Sequence, residues 1–220
     1  MKTFIPSEYG INYTTDLLAF HPAAKYFLDA ADALRASHLN FTRVILGWTL
    51  DHYGMPHVQS HMKPFKYVLD FDNHRAALPG DGETPVTFLH SADLAKYVAA
   101  MLKQDSWPET SAFVADRMSW KEMVRVAEWV TGNNWNVTYD SIETLHNGEA
   151  TLFDQPEGSY TEYPKEELRK LVSEFGLMVV NGIVDVSGVG TRNAEFPEIR
   201  PVTVEEIIER AWGGEVRHRK

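Results

Sequence analysis

The sequence contains no cysteine among its 220 residues. This absence excludes disulfide bonds, thiolate catalysis and zinc sites that use cysteine ligands. Long apolar runs are missing as well, because no stretch approaches the length of a membrane-spanning helix. No charged segment followed by an apolar one marks a leader peptide. The sequence therefore predicts a soluble, cytoplasmic protein with no membrane partner.

Basic residues are fewer than acidic residues in this sequence. The chain has 21 Lys and Arg against 31 Asp and Glu, which gives a formal net charge of −10. An acidic chain without a basic stripe is poorly suited to bind a phosphate backbone, so we do not predict nucleic acid as a partner. Hydrophobic residues make up 44% of the chain, enough for a sizeable core in one domain or a domain with an appendage.

Glycine-rich phosphate loops are scarce too. A dinucleotide site needs glycines in a tight turn between a strand and a helix, so that backbone amides can approach the diphosphate. The nearest match, Gly188-Val189-Gly190, lacks the third glycine and precedes no convincing helix, so we interpret it as a plain loop. None of the nine tyrosines has a lysine four residues later, so the Tyr-x-x-x-Lys pair of short-chain reductases is also missing.

A strand–helix–strand pattern fills the first part of the chain. Residues 2–5 and 41–47 are typical of buried strands, and Pro22 is well placed in the first turn of the helix between them. A crossover of this length predicts two parallel strands with a right-handed connection. We therefore predict an α/β fold with an incomplete Rossmann-like parallel sheet and a smaller C-terminal α+β part that covers the substrate.

The rest of the sequence alternates short strands with capped helices. Capping boxes at Ser119 and Thr203 predict helix starts, as does Ser91, and Gly176 predicts the end of a helix that begins at Pro164. The remaining predictions are strands at 66–71 and 136–139, a hairpin of strands 74–78 and 86–89, and long loops at 48–64 and 143–163.

Polar and aromatic side chains follow both of the parallel strands. Ser7-Glu8-Tyr9-Gly10 comes after the first strand, and residues 48–53 come after the second. The carboxyl ends of parallel strands meet at the sheet edge where α/β proteins bind ligands. Aromatic rings, hydroxyls, a carboxylate and an imidazole at this edge predict a small-molecule pocket. The alternative is that these are two ordinary surface loops.

Three histidines, His52, His57 and His61, lie close together in the same loop. Neutral imidazoles at this spacing can bind a transition metal. However, Pro56 and Pro64 bracket the segment, and no motif such as His-Glu-x-x-His accompanies it. We therefore predict no metal site and place these side chains in a pocket wall or in solvent.

Taken together, these segments resemble the NmrA-like and isoflavone-reductase-like branch of the atypical short-chain dehydrogenases, particularly its fungal members. The most specific part of the resemblance is the Pro6-Ser7-Glu8-Tyr9-Gly10 loop, and the likeness extends to about Gly214. It implies a Rossmann-like portion at 1–110 and a substrate-covering α/β part at 111–220. The chain would lack the N-terminal glycine-rich half of the family. We expect the exposed sheet edge this leaves to cause homo-oligomerisation, poor solubility or a rearranged sheet.

The resemblance also implies NADP or NAD as cofactor, a small aromatic metabolite as substrate, and roles for individual residues. Reductases of this family carry a lysine on the helix after the Pro-Ser-Glu loop. Ungapped alignment puts Phe27 at that position, and Lys25 is the lysine that this helix offers, although its spacing from Asp29 also predicts a surface ion pair. The implied catalytic residues are Tyr9, His52 and Lys25. The implied cofactor contacts are Ser7, Glu8, Gly47 and Trp48. The implied substrate contacts are Tyr9, Trp48, Asp51, His52, Tyr53 and Met55.

Three interpretations of function remain open, and with them whether the protein is an enzyme. The first is a shortened, redox-impaired derivative of an NAD(P)H-dependent reductase of aromatic metabolites. The second is a non-redox isomerase or cyclase that uses the same pocket, with Glu8, Tyr9, Asp51 and His52 as acid–base candidates. The third is a regulatory module that senses a dinucleotide or binds a protein.

Overall fold

Local capping signals set the starts of two long helices. Helix α4 (Trp120–Thr131) begins where Ser119 Oγ accepts a hydrogen bond from the Glu122 amide and the Glu122 carboxylate accepts one from the Ser119 amide. Helix α7 (Val204–Trp212) begins with the same reciprocal pair at Thr203 and Glu206. Each box satisfies two amides that have no partner within the helix. Both predicted helix starts are confirmed.

The computed structural model describes residues 3–160 and 162–214. Ten strands are found there: β1 (Thr3–Phe4), β2 (Asn40–Phe41), β3 (Arg43–Ile45), β4 (Trp48–Thr49), β5 (Leu69–Asp70), β6 (Arg75–Pro79), β7 (Pro85–Leu89), β8 (Thr110–Ala112), β9 (Asp116–Ser119) and β10 (Asn136–Asp140). The other five α-helices of this part of the chain are α1 (Ala24–Arg35), α2 (Asp51–Gly54), α3 (Ser91–Met101), α5 (Ile142–His146) and α6 (Lys165–Val180).

The first crossover joins parallel strands, as predicted, although the second predicted strand is divided into β2 and β3. Strand β1 pairs in parallel with β2, and α1 connects them. Parallel pairs also join β3 to β8, β4 to β7, and β6 to β10. Antiparallel pairs add β5 to β6 and β9 to β7. The chain is therefore an α/β protein with parallel sheet segments, as predicted. Lys2, which the prediction placed in the first strand, lies outside the described residues.

The predicted hairpin is wrong, although both of its strands exist. Strand β6 lies between β5 and β10, whereas β7 lies between β4 and β9. The amide of Gly80 donates to the carbonyl of Asp140 at 2.9 Å, which holds the connecting turn on the β10 side. The turn was predicted correctly, but each of the two strands pairs with strands other than its predicted partner.

The predicted helix end at Gly176 is also wrong, because α6 continues to Val180. A Cβ at Gly176 would lie 2.5 Å from Cδ2 of Leu145, so the glycine gives α5 room to pack against α6. The predicted loops contain short elements as well. Strand β4 and helix α2 occupy the start of 48–64, and α5 occupies the start of 143–163.

Two buried clusters form most of the core. The larger contains Trp120, Tyr53 and Phe88, and it joins α4, α6 and α7 to the sheets. The smaller packs α3 on β3 through Val44, Tyr97 and neighbouring side chains. The ligand-binding edge predicted from the sequence lies where β3 leads into β4.

Gly47, between β3 and β4, has a φ of 87° and leaves no room for a side chain. A Cβ there would lie 2.5 Å from the carbonyl oxygen of Thr87 and 2.8 Å from that of Val184. We expect Gly47→Ala to lower the free energy of unfolding by about 3 kcal/mol, measured by chemical denaturation. The control is Gly188→Ala, whose Cβ would meet nothing within 4 Å. Equal effects of the two substitutions would contradict this explanation.

Candidate functional site

A cavity of about 320 Å³ opens at the ends of β3 and β4, beside the loop that follows β1. Its walls are mainly aromatic and aliphatic, and its polar groups are few. The lining residues are Tyr9, Gly10, Ile11, Tyr13, His21, Gly47, Trp48, Thr49, His52, Phe65, Tyr160, Leu171, Phe175, Met178 and Val184. Both this composition and this volume are typical of small-molecule pockets.

Backbone hydrogen bonds hold the two polar segments side by side. The carbonyl of Gly10 accepts from the amides of Leu46 and Gly47 at 2.8 and 3.0 Å, and Gly10 forms a parallel bridge with Ile45. Tyr9 and Trp48 therefore face the same cavity, as the topology argument predicted.

Trp48 forms the inner wall of the cavity. Its ring centroid lies 4.6 Å from that of Tyr67 and 5.4 Å from that of Phe175. These tilted and edge-on contacts are favourable for aromatic pairs, and they fix the indole against the core. The cavity therefore has one rigid flat wall against which a second ring can pack.

His52 supplies a neutral imidazole to the cavity. Burial lowers the pKa of His52 to about 4, and the nearby Asp51 carboxylate opposes this only in part. The Nδ1 atom of His52 is buried without a hydrogen-bond partner among the described residues. At neutral pH this side chain can donate or accept one hydrogen bond to a ligand without carrying a charge.

A second histidine, His21, reaches the cavity from the turn before α1. Its Nδ1 atom lies 2.6 Å from Oε2 of Glu174 on α6, and the two side chains are 10% and 29% exposed. A carboxylate only accepts hydrogen bonds, so Nδ1 of His21 is the donor in this contact. No sequence pattern links the two residues, because they lie 153 positions apart in the chain.

Two tyrosines follow the first strand. Tyr9 is 46% exposed at the cavity rim. Tyr13 lies deeper and stacks on Phe27 with ring centroids 4.0 Å apart. Burial, together with the Glu8 carboxylate, raises the pKa of Tyr13 to about 12, so its hydroxyl stays protonated. Phe27, which aligns with the family's lysine, therefore supports a cavity wall through its ring.

A second, apolar cavity of about 550 Å³ adjoins the first and shares Tyr9 and Thr49 with it. The exposed face of α3 forms most of its wall, through Leu94, Ala95, Val98 and Ala99. Neither cavity is lined by a lysine or an arginine.

Three of the predicted substrate contacts, Asp51, Tyr53 and Met55, do not line the first cavity. Asp51 is 1% exposed and accepts hydrogen bonds from Ser60 Oγ and from the Ser91 amide and hydroxyl. Tyr53 is 1% exposed and packs on Trp120 in the core. Met55 lies just after α2. The α2 turn directs His52 to the cavity and its neighbours away from it.

Three other predicted site residues, Ser7, Glu8 and Lys25, also do not line the first cavity. Lys25 lies on the exposed face of α1 and pairs with Asp29 at 2.7 Å, which is the surface pair that its spacing predicted. The Glu8 carboxylate is bound by Arg43 at 2.7 Å, and Ser7 is exposed. Of the four residues predicted to contact the cofactor, Gly47 and Trp48 line the cavity.

The described residues do not fit the diphosphate of a dinucleotide. None of their α-helices has glycine at its N-cap, and Gly188 and Gly190 lie in or next to a short 3-10 turn, Ser187–Val189. A diphosphate site needs a glycine turn that opens a helix or a basic side chain. Neither cavity has one, so neither offers a binding site for two phosphates. Within the same ranges, no group of three or more His, Asp or Glu side chains is arranged to hold a metal ion. None of the described helices is long and apolar enough to span a membrane.

Much of the cavity wall has no signal in the sequence. Tyr160, Leu171, Phe175, Met178 and Val184 come from the second half of the chain. In the sequence, α6 is an amphipathic helix, and its apolar face carries no local signal that distinguishes a cavity wall from core. His21 could have been suspected from its position beside Pro22 at a helix start.

Comparisons with known proteins agree on a reductase fold. No family model matches the chain. A fungal relative, oxidoreductase swnN of Metarhizium robertsii, is 28% identical over 234 residues, covering 95% of this chain and 68% of the relative. Pinoresinol–lariciresinol and phenylcoumaran benzylic ether reductases match with a TM-score of 0.69 at 18% identity, over 95% of this chain and 65% of that one. In fold, the chain is similar to isoflavone-reductase-type structures.

The predicted resemblance to this family is thereby confirmed. Another solved structure, AtPrR2 with NADP+ and (+)-pinoresinol, matches with a TM-score of 0.67 at 18% identity. It covers 95% of this chain, and this chain spans 64% of its length. Such low identity supports the fold, and the ligands named belong to that protein.

We expect His52 to make stability depend on pH. The ordinary pKa of histidine is about 6.5, so an unfolded chain takes up a proton at His52 where the folded protein, with a pKa of about 4, does not. His52 should therefore favour the folded state fully above about pH 6.5 and progressively less as pH falls toward 4. In denaturant unfolding across this range, the free energy of unfolding should fall less steeply with pH for His52→Gln than for the wild type. The exposed control, His38→Gln, should keep the wild-type slope, and an unchanged slope in His52→Gln would contradict the assignment.

We also expect Asp51 to stabilise the turn that presents His52. Burial alone would raise the pKa of Asp51, but hydrogen bonds from Ser60 and Ser91 bring it below the ordinary value. Because the folded pKa is lowered, this stabilisation is present above the unfolded pKa and is lost as pH falls through the folded one. Asp51→Asn should lower the free energy of unfolding at neutral pH by about 2 kcal/mol, measured by denaturation. The exposed control Asp105→Asn should have little effect, and a similar loss there would count against this role.

Proposed function

We propose that the protein derives from an NAD(P)H-dependent reductase of small aromatic metabolites and retains that enzyme's metabolite pocket. The observation that carries this proposal is the aromatic cavity of about 320 Å³ at the carboxyl ends of β3 and β4. Trp48 offers a flat surface for a ring, and His52 offers a neutral polar contact beside it.

The two halves of the chain contribute differently to this pocket. Residues in 1–110 supply the Tyr9 loop and Trp48, at the strand ends of the Rossmann-like portion. Residues in 111–220 supply Tyr160 and one face of α6, which line the same cavity. This arrangement supports the division into a Rossmann-like part and a substrate-covering part. An association through the edge of β1 stays a prediction.

The residues described here favour impaired redox chemistry, because they offer no site for a dinucleotide diphosphate. Phe27 stacks on Tyr13, and Lys25 is turned to solvent in its pair with Asp29. The second candidate function is therefore a non-redox isomerase or cyclase. The observation that favours it is the presence of two histidines in the cavity wall, one of them paired with a carboxylate.

Calorimetric titration with 2-naphthol tests the pocket. We expect binding in the micromolar range, and at least about tenfold weaker binding of the saturated analogue decahydro-2-naphthol, because ring packing on Trp48 is lost. Leu171→Trp should fill the cavity and abolish binding, whereas Leu18→Trp, outside the cavity, should not. Equal binding of both alcohols, or none, would contradict an aromatic site.

The same calorimeter tests whether the chain has lost its redox cofactor. We expect no measurable binding of NADPH to this chain, since the described residues lack a diphosphate site. Micromolar binding of NADPH would instead favour a reductase.

A further inference from the structure

The hydrogen bond between His21 and Glu174 has a defined direction, from the imidazole to the carboxylate. Glu174 Oε2 accepts from His21 Nδ1 at 2.6 Å, and neither the cavity wall nor its rim includes Glu174. The carboxylate therefore approaches the ring from outside the cavity. With Nδ1 engaged, Nε2 carries the free lone pair of the imidazole, and it forms no hydrogen bond with the described residues.

The surrounding backbone holds this arrangement in place. The amide of His21 donates to the carbonyl of Leu17 at 2.7 Å, and the amide of Ala24 donates to the carbonyl of His21 at 3.0 Å. Glu174 lies on α6 between Leu171 and Met178, which line the cavity, so a regular helix fixes its distance from the site. Both members of the pair are therefore attached to ordered backbone.

We propose that His21 is the proton-transfer residue of this cavity and that Glu174 is its positioning residue. In the step we infer, His21 Nε2 takes the proton of a hydroxyl on the bound aromatic ligand. The O–H bond breaks, its electron pair stays on the ligand oxygen, and the ring becomes an imidazolium whose Nδ1–H remains bonded to the Glu174 carboxylate. The proton returns to the same ligand, so no further reactant is required.

The Glu174 carboxylate at Nδ1 of His21 favours this proton transfer. It fixes the ring orientation and stabilises the imidazolium, while the apolar cavity excludes water from the other side. The other titratable groups of the cavity wall are Tyr9, Tyr13, His52 and Tyr160. Burial lowers the pKa of His52 and raises that of Tyr13, so both stay neutral near pH 7 and neither competes for the proton.

The proposal rests on the proposed aromatic pocket, and 4-nitrophenol tests it because its phenolate absorbs visible light. At a pH below the probe's own pKa, we expect about tenfold more bound phenolate in the wild type than in His21→Gln, equivalent to one pKa unit. Glu174→Gln should lie between them, because its amide oxygen still accepts from Nδ1–H but carries no charge. His38→Gln, an exposed histidine, should match the wild type.

Nitrobenzene, which has no proton to transfer, separates chemistry from packing. We expect His21→Gln and the wild type to bind it equally well. If His21→Gln weakened both probes to the same extent and left the phenolate fraction unchanged, His21 would only pack against the ligand and the proposal would be overturned. If neither probe bound, the pocket itself would be wrong, and this proposal would fail with it.

A measurement without ligand completes the test. Nitrogen-15 NMR of the imidazoles should find the proton of neutral His21 on Nδ1 in the wild type, with a redistribution toward Nε2 in Glu174→Ala. A proton on Nε2 in the wild type would overturn the proposed base even if aromatic probes bind.

Discussion

A buried ion pair connects the first strand and its loop to the rest of the molecule. Glu8 Oε2 accepts from Arg43 Nε at 2.7 Å, and the two side chains are 1% and 4% exposed. Glu8 belongs to the loop that carries Tyr9, and Arg43 begins β3, which leads to Trp48. Removing one partner of such a pair leaves an unpaired buried charge, at a cost of about 3–5 kcal/mol. Together with the backbone hydrogen bonds of Gly10, this contact fixes the Tyr9 loop beside β3.

The ion pair also explains why the loop does not present its carboxylate to a ligand. Glu8 was expected to contact a cofactor, yet Arg43 occupies one of its oxygens. The loop instead contributes Tyr9, Gly10, Ile11 and Tyr13 to the cavity wall. The polar chemistry of the site comes instead from His21 and His52, which approach it from two short turns.

Features that depend on residues close together in the sequence were predicted correctly, whereas features that depend on contacts between distant residues were not. The capping boxes at Ser119 and Thr203 were found correctly because each is complete within four residues. The hairpin was mispredicted because β6 and β7 choose partners far along the chain. Gly176 was mistaken for a helix end because its partner, Leu145, lies outside the local sequence. For the same reason the Glu174 partner of His21 was invisible, whereas Trp48 and His52 followed from the strand-end rule.

Trp48 belongs at once to the cavity wall and to the aromatic core, since it contacts Tyr67, Trp120 and Phe175. A ligand on its open face would complete a packing layer that the protein alone leaves unfinished. Ligand concentration and folding are then thermodynamically linked, with about 2.7 kcal/mol of added stability when the free ligand is at a hundred times its dissociation constant. An aromatic ligand bound as proposed would therefore stabilise the folded protein more as its concentration rises.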